Sequence, residues 1–200
     1  VLFGGDSREG QLEAGSHADT IIIVSLDNES KEIRMASVYR DTLLEQMNMD
    51  YHKANQAYYR GGPVEAINML NMNLDMNITD FITVGFAGLT DTIDALGGIM
   101  IDVDESEIHH LNSYQYTMSE DLKRSYTEVT QTGYQHLNGL QATAYCRIRY
   151  TAGDDYKRSE RQRDVIIAMA KKAQQANLKT INKIIDEVFG DIETSFSNAD

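Results

Sequence analysis

Residues 145–163, YCRIRYTAGDDYKRSERQR, gather six of the eighteen Lys and Arg residues in a chain of 200 whose net charge is −13. From 147 to 163, Arg147, Arg149, Lys157, Arg158, Arg161 and Arg163 outnumber Asp154, Asp155 and Glu160, which makes the run +3 and the remainder −16. Guanidinium forks suit phosphate oxygens. A small positive focus on an acidic background fits one compact anion, whereas nucleic-acid binding needs a broad basic surface. Arg147 and Arg149, two apart, project to one face of an extended chain. Arg158, Arg161 and Gln162 fall at helical spacing, and Asp155 precedes them where a carboxylate caps free amides or holds an arginine. The stripe continues as Val165, Met169, Ala173 and Ala176, cationic at its start and apolar beyond. Two readings fit: a site for a ligand with a charged head and a greasy tail, or an amphipathic helix packing its lower half on the core.

A second set of charges recurs at the ends of apolar runs: Asp6 and Arg8 in GGDSR, Asp19 before TIIIVSL, and Arg40 with Asp41 after IRMASVY. Strand ends are where rigid elements present functional loops. Carboxylates there suit a hard cation, and the arginines suit phosphate. Transfer at phosphorus needs in-line positioning and charge neutralisation more than covalent chemistry from the protein. No Ser-His-Asp or Cys-His set is present, and none is required. His109-His110 lacks the i, i+4 spacing of a helical metal pair and reads as a solvated turn. DVDESE lacks the loop glycine of a calcium site and reads as a charged strand exit. Cys146 is the sole cysteine, which excludes an internal disulfide and reads as a small buried thiol.

The elements that must hold these residues follow from periodicity. With 42% hydrophobic residues and one proline, the composition is that of a globular domain able to bury a core. DTIIIVSLD and KEIRMASVYRD predict a hairpin across NES, rich in β-branched residues. An Asn- and Tyr-rich loop should lead into a helix starting near Pro63, with the apolar positions Val64, Ile67, Leu70 and Leu74 at helical spacing. DFITVGF predicts a strand, AGLTDTIDAL a helix stopping at Gly97-Gly98, and IMIDVDE another strand. Residues 106–133 show no clean periodicity and read as a long excursion, in which Tyr114, Tyr116 and Tyr126 offer flat faces for sugar rings. NGLQATAYCRIR predicts a helix running out into extended chain. A long helix is expected from Asp155, and a last one over LKTINKIIDEVFG. The alternation indicates one α/β domain, residues 1–200, with a central mixed sheet. The abrupt start at Val1 reads as a fragment whose upstream membrane anchor or signal is missing.

GGDSR, ADTIIIVSLD, ASVYRDT, HKANQAYYRGGPVEAI, ITDFITVGFAGLTDTIDALGGIMIDVDE, HLNGLQATAYCRIRY and GDDYKRSERQRDVI, in this order, resemble the extracellular domain of LytR–CpsA–Psr proteins over residues 2 to about 175. The resemblance implies an α/β/α sandwich, its sheet flanked by helices and its core enclosing a hydrophobic lipid pocket. It implies a phosphotransferase at the outer face of the bacterial membrane, moving a teichoic acid, capsular or other wall polysaccharide from a polyprenyl-pyrophosphate carrier to peptidoglycan with Mg²⁺. Carried over residue by residue, Asp6 and Asp19 are the metal ligands. Arg8, Arg40, Lys53, Arg147, Arg149, Arg158 and Gln162 contact pyrophosphate. Asp41 and Asp155 hold those arginines or assist transfer, with Asp41 a candidate proton acceptor, so the expected catalytic set is Arg40, Asp41 and Asp155. Partners would be the lipid-linked donor, peptidoglycan and, through the anchor, the membrane, with no nucleic acid. The chain departs from the family pattern at His17, where many members have arginine and where a pyrophosphate contact is expected here, and in the length of 106–133. The alternatives are a hydrolase of the same donor and a non-enzymatic lipid-carrier binding or regulatory surface protein.

Overall fold

The computed structural model describes residues 1–5, 12, 15–27, 29–30, 32–149, 154–188 and 192–196. Asp6 and Arg8 lie outside the described residues. Chain contacts divide into two compact units, Val1–Phe86 with Asp191–Asp200, and Ala87–Gly190.

In the first unit the β-branched run forms β2 (Ala18–Leu26), which pairs antiparallel with β3 (Ile33–Ser37) on one side and β1 (Leu2–Gly5) on the other. β6 (Ile82–Val84) runs parallel to β1, and β9 (Ile192–Thr194) antiparallel to β6. The sheet is therefore mixed, in the order β3-β2-β1-β6-β9. A short hairpin, β4 (Leu43–Glu45) with β5 (Tyr51–Lys53), leads into α1 (Asn55–Leu74), which packs on β2, β4 and β5. The core joins Phe3, Ile21, Ala57, Tyr58, Ile67, Met69 and Leu70. Each such large side chain contributes about 1.5–3 kcal/mol when fully buried. Tyr58 stands edge-on to Phe3 at 5.1 Å, donates to the Leu12 carbonyl at 2.5 Å and lies 3.0 Å from Thr83 Oγ1. Burial pushes its phenol up to about 12.

α1 starts eight residues earlier than its apolar spacing suggests. Gly61 (φ −140°) and Gly62 (φ 67°, ψ −158°) break it into two segments, and Pro63 opens the second. The conformation at Gly62 is open only to glycine, and proline at a first helical position loses no bond. Val64 faces solvent at 61% exposure, so the inward stripe is Ala66, Ile67, Met69 and Leu70.

In the second unit α2 (Phe86–Ala95) ends at Gly97-Gly98, both with positive φ, and leads to β7 (Ile99–Val103). Residues 106–133, expected as a long excursion, are helical in their first part. They begin with α3 (Glu105–Leu122), capped reciprocally: Asp104 Oδ1 accepts from the Ser106 N–H and Glu107 Oε2 from the Asp104 N–H, each at 2.9 Å. That capping box is the helix signal within DVDESE. Leu111 and Met118 of α3 are fully buried, and His109 and His110 are helical, not in a turn. β8 (Gly133–Leu137) pairs antiparallel with β7 from Ile99↔Leu137 to Val103↔Gly133. α4 (Gly139–Arg147), α5 (Asp154–Gln174) and α6 (Leu178–Val188) complete the unit. Its core holds Ile93, Ile99, Ile101, Leu111, Leu137, Tyr145, Cys146, Ile148 and Val165, with Met169 packed against it. Of the two readings of the α5 stripe, core packing is the one seen for Val165 and Met169.

Two predictions arise here. A Cβ on Gly139 would sit 2.1 Å from the Thr90 carbonyl oxygen and 2.8 Å from Asp94 Cγ, and Asp94 Oδ1 accepts from the Gly139 N–H at 2.6 Å. Gly139→Ala must therefore push α2 and α4 apart, and a loss of about 1–3 kcal/mol is expected in urea unfolding. An unchanged midpoint would refute the close approach. Burial raises the Cys146 thiol to about 12 from 9.0. The native protein should then alkylate at pH 8 roughly a thousandfold more slowly than the unfolded chain, because the thiolate is the reactive form.

No helix among the described residues is long and apolar enough to cross a membrane.

Candidate functional site

The first unit carries a row of alternating charges. Ile22 faces Ser37 in the β2–β3 ladder, and the Val38 N–H donates to the Ile21 carbonyl at 2.9 Å, continuing the register past the end of β3. Counting on, Asp19 stands opposite Arg40, and Arg40 Nη1 donates to Asp19 Oδ1. Arg40 Nε lies 3.8 Å from Asp41 Oδ1, which Lys53 Nζ meets at 2.7 Å. The β4–β5 hairpin makes that last contact possible by pairing Leu43 with Lys53. Thr42 and Arg40 give their carbonyls to the N–H groups of Ala54 and Asn55, at 2.9 and 3.1 Å, which fixes the arginine's backbone on α1. The row runs from half-buried at Asp19 and Arg40 to open at Lys53. His17 is not drawn into it. Its ring stacks on Tyr59 at 4.7 Å, with Nε2 3.2 Å from Gln56 Nε2, so its contacts are with α1.

As a donor for a hard cation, Asp19 presents a carboxylate oxygen of the right chemistry, while no group of three His, Cys, Asp or Glu ligands exists among the described residues. Mg²⁺ commonly takes one or two carboxylates and completes its shell with water and substrate phosphate, so this donor fits.

The second unit carries the other arginines. Arg147, the last residue of α4, lies over the Tyr114 ring at 5.4 Å. Ile148 leaves the helix (φ −59°, ψ 124°) and is fully buried, which places Arg147 and Arg149 on either side of an anchored residue. At the start of α5, Arg158 Nη2 forms an ion pair with Asp155 Oδ1 at 3.1 Å, and Arg158 is only 4% exposed. Gln162, half-buried, follows one turn on. Arg161 does not line up with them but turns to Glu107, its Nε donating to Oε1 at 2.6 Å.

Three features of these sites escape sequence reasoning. Glu107 and Arg161 are 54 residues apart with no local signal linking them. Tyr114, expected as a sugar platform, also lies under Arg147. Asn55, two residues after Lys53, is 2% exposed and its Oδ1 has no hydrogen-bond partner among the described residues. Such an atom in a native protein calls for an occupant, a water or a substrate group.

The chain is 29% identical over 200 residues to the polyisoprenyl-teichoic acid–peptidoglycan teichoic acid transferase TagV of Bacillus subtilis, covering 98% of this chain and 49% of that protein. It is 30% identical over 197 residues to the like-named transferase TagU of Halalkalibacterium halodurans, covering 97% and 59%. It thus spans about half the length of the first of these curated relatives and under two thirds of the second. The crystal structure of protein gbs0355 from Streptococcus agalactiae matches with a TM-score of 0.82 at 27% identity, over 99% of this chain and 68% of that one. The α/β class with its mixed sheet, expected from the alternation of elements, holds in the observed strand order and in that match. The same pattern runs from residue 1 to residue 200, and the chain belongs to the LytR_cpsA_psr family.

Proposed function

We propose that this chain is the catalytic domain of a transferase, working at the outer face of the membrane, that moves a wall glycopolymer from a polyprenyl-pyrophosphate carrier to peptidoglycan. The observation that carries this is the Asp19–Arg40–Asp41–Lys53 row, which alternates an oxygen donor for a cation with forked and point cations for phosphate. The names of TagV and TagU support it.

In this reading a hydroxyl of peptidoglycan attacks the glycan-bearing phosphorus. A new P–O bond forms to the acceptor, the bridging P–O bond of the diphosphate breaks, and polyprenyl phosphate leaves. Arg40 neutralises the phosphate oxygens as charge shifts towards the leaving group. Asp41, which pairs with Arg40 and Lys53, either takes the hydroxyl proton or orients Arg40 in this reading. Mg²⁺ held by Asp19, together with Asp6, would supply Lewis-acid neutralisation of the diphosphate. Arg8, Arg147, Arg149, Arg158 and Gln162 contact pyrophosphate in this reading, and Asp155 orients Arg158.

The test is turnover of a polyprenyl-pyrophosphoryl glycan with and without peptidoglycan oligomers. Glycan phosphate covalently attached to peptidoglycan, dependent on Mg²⁺, is the expected result. Release of glycan phosphate to water without need of acceptor would make the protein a hydrolase, and retention of intact donor would make it a carrier-binding protein.

A further inference from the structure

Arg161 belongs to the basic run yet is 3% exposed, and two of its donors point inward. Nε donates to Glu107 Oε1 at 2.6 Å, and Nη1 donates to the Ile148 carbonyl at 3.1 Å. Ile148 is the buried residue between Arg147 and Arg149. Glu107 is itself fixed, because its other oxygen accepts from the Asp104 N–H in the α3 cap. One guanidinium therefore ties α5, the start of α3 and the segment carrying Arg147 and Arg149. Arg158 lies three residues earlier on that same helix.

We infer that Arg161 is a positioning residue that fixes the separation between Arg158 and the Arg147–Arg149 segment, and so gives the protein its preference for a diphosphate over a monophosphate. This rests on the proposed phosphate-binding role of those three arginines. A ligand with two phosphates engages two anchor points on different elements at full strength only if their spacing is preset, whereas one phosphate needs a single anchor. The planar fork can serve a carboxylate and a carbonyl at fixed angles, and the ammonium of lysine cannot. Arg161 and Glu107 also line a cavity of about 630 Å³, so water can enter to replace the bonds lost when the side chain is shortened. Arg161→Lys should therefore remain folded.

The experiment measures affinities of the wild type, Arg161→Lys, Glu107→Gln, Arg149→Lys and the Arg161→Lys/Arg149→Lys double variant for farnesyl diphosphate and farnesyl monophosphate, with melting temperature followed for each. Arg161→Lys is expected to weaken diphosphate binding about tenfold while changing monophosphate binding less than about twofold, and Glu107→Gln to follow it in part. The double variant should bind diphosphate more tightly than the product of the single effects predicts, since both changes act on one anchor. Equal loss for the two ligands, unchanged discrimination in a folded Arg161→Lys or Glu107→Gln protein, or a fully additive double variant would overturn the inference. Failure of the wild type to bind either prenyl phosphate would instead count against the proposed function, which keeps the two failures apart.

Discussion

Arg40→Lys is expected to keep the fold and to lose about 10²–10³-fold in transfer rate, the effect typical of removing one donor aimed at developing charge. The arginine has two structural partners, Asp19 through Nη1 and Asp41 through Nε. Lysine retains the charge but offers a point cation, so it cannot grip Asp19, approach Asp41 and still present a planar edge to phosphate. The fold should survive because Arg40 is held by its backbone carbonyl, which bonds the Asn55 N–H, and that bond is indifferent to the side chain. Single-turnover rates at saturating donor, alongside a melting curve, provide the check. Wild-type turnover in a folded variant would make the row an ordinary surface ion pair of the kind worth under about 1 kcal/mol.

Asp19→Ala should do still more, with transfer falling about a thousandfold or beyond, because one substitution removes the proposed cation ligand and releases Arg40. The two roles separate in a Mg²⁺ titration. Loss of the ligand shifts the Mg²⁺ requirement upward, while loss of the arginine's partner lowers the plateau at every Mg²⁺ concentration. Both changes are expected in Asp19→Ala, and the plateau change alone in Arg40→Lys. Full activity of Asp19→Ala at ordinary Mg²⁺ would sink the metal assignment.

What is legible in the sequence is whatever depends on short range. The β2–β3 hairpin, the end of α2 at Gly97-Gly98, the run-out after Arg147 and the long α5 are visible because β-branched runs, glycine pairs and helical spacing act within a few residues. α3 is hidden by its composition. Tyrosines, serines and two histidines blur its apolar stripe, and the capping box that starts it shows in sequence only as charge. β4, β5, β8 and β9 do not stand out because three- to five-residue strands carry too few positions for alternation to show. The Asp19–Arg40 pair is a register fact, legible only once Ile22 is known to face Ser37. The anchoring of Ile148 by Arg161 needs α3, α4 and α5 folded together, so no window of sequence contains it.

Arg40 hangs from the end of an edge strand, since β3 has a sheet partner on one side only among the described strands. Edges of sheets open locally at lower free energy than their centres. The Val38 amide, which continues the ladder to Ile21, should therefore exchange its hydrogen sooner than the amide of Phe3 in β1, which sits between two neighbours. When β3 lifts, the ladder that sets Asp19 opposite Arg40 opens, although the Arg40 carbonyl stays on the Asn55 N–H and the core around Tyr58 stays closed. Function and global unfolding should then come apart on heating, with activity falling below the melting temperature as this one short strand frays.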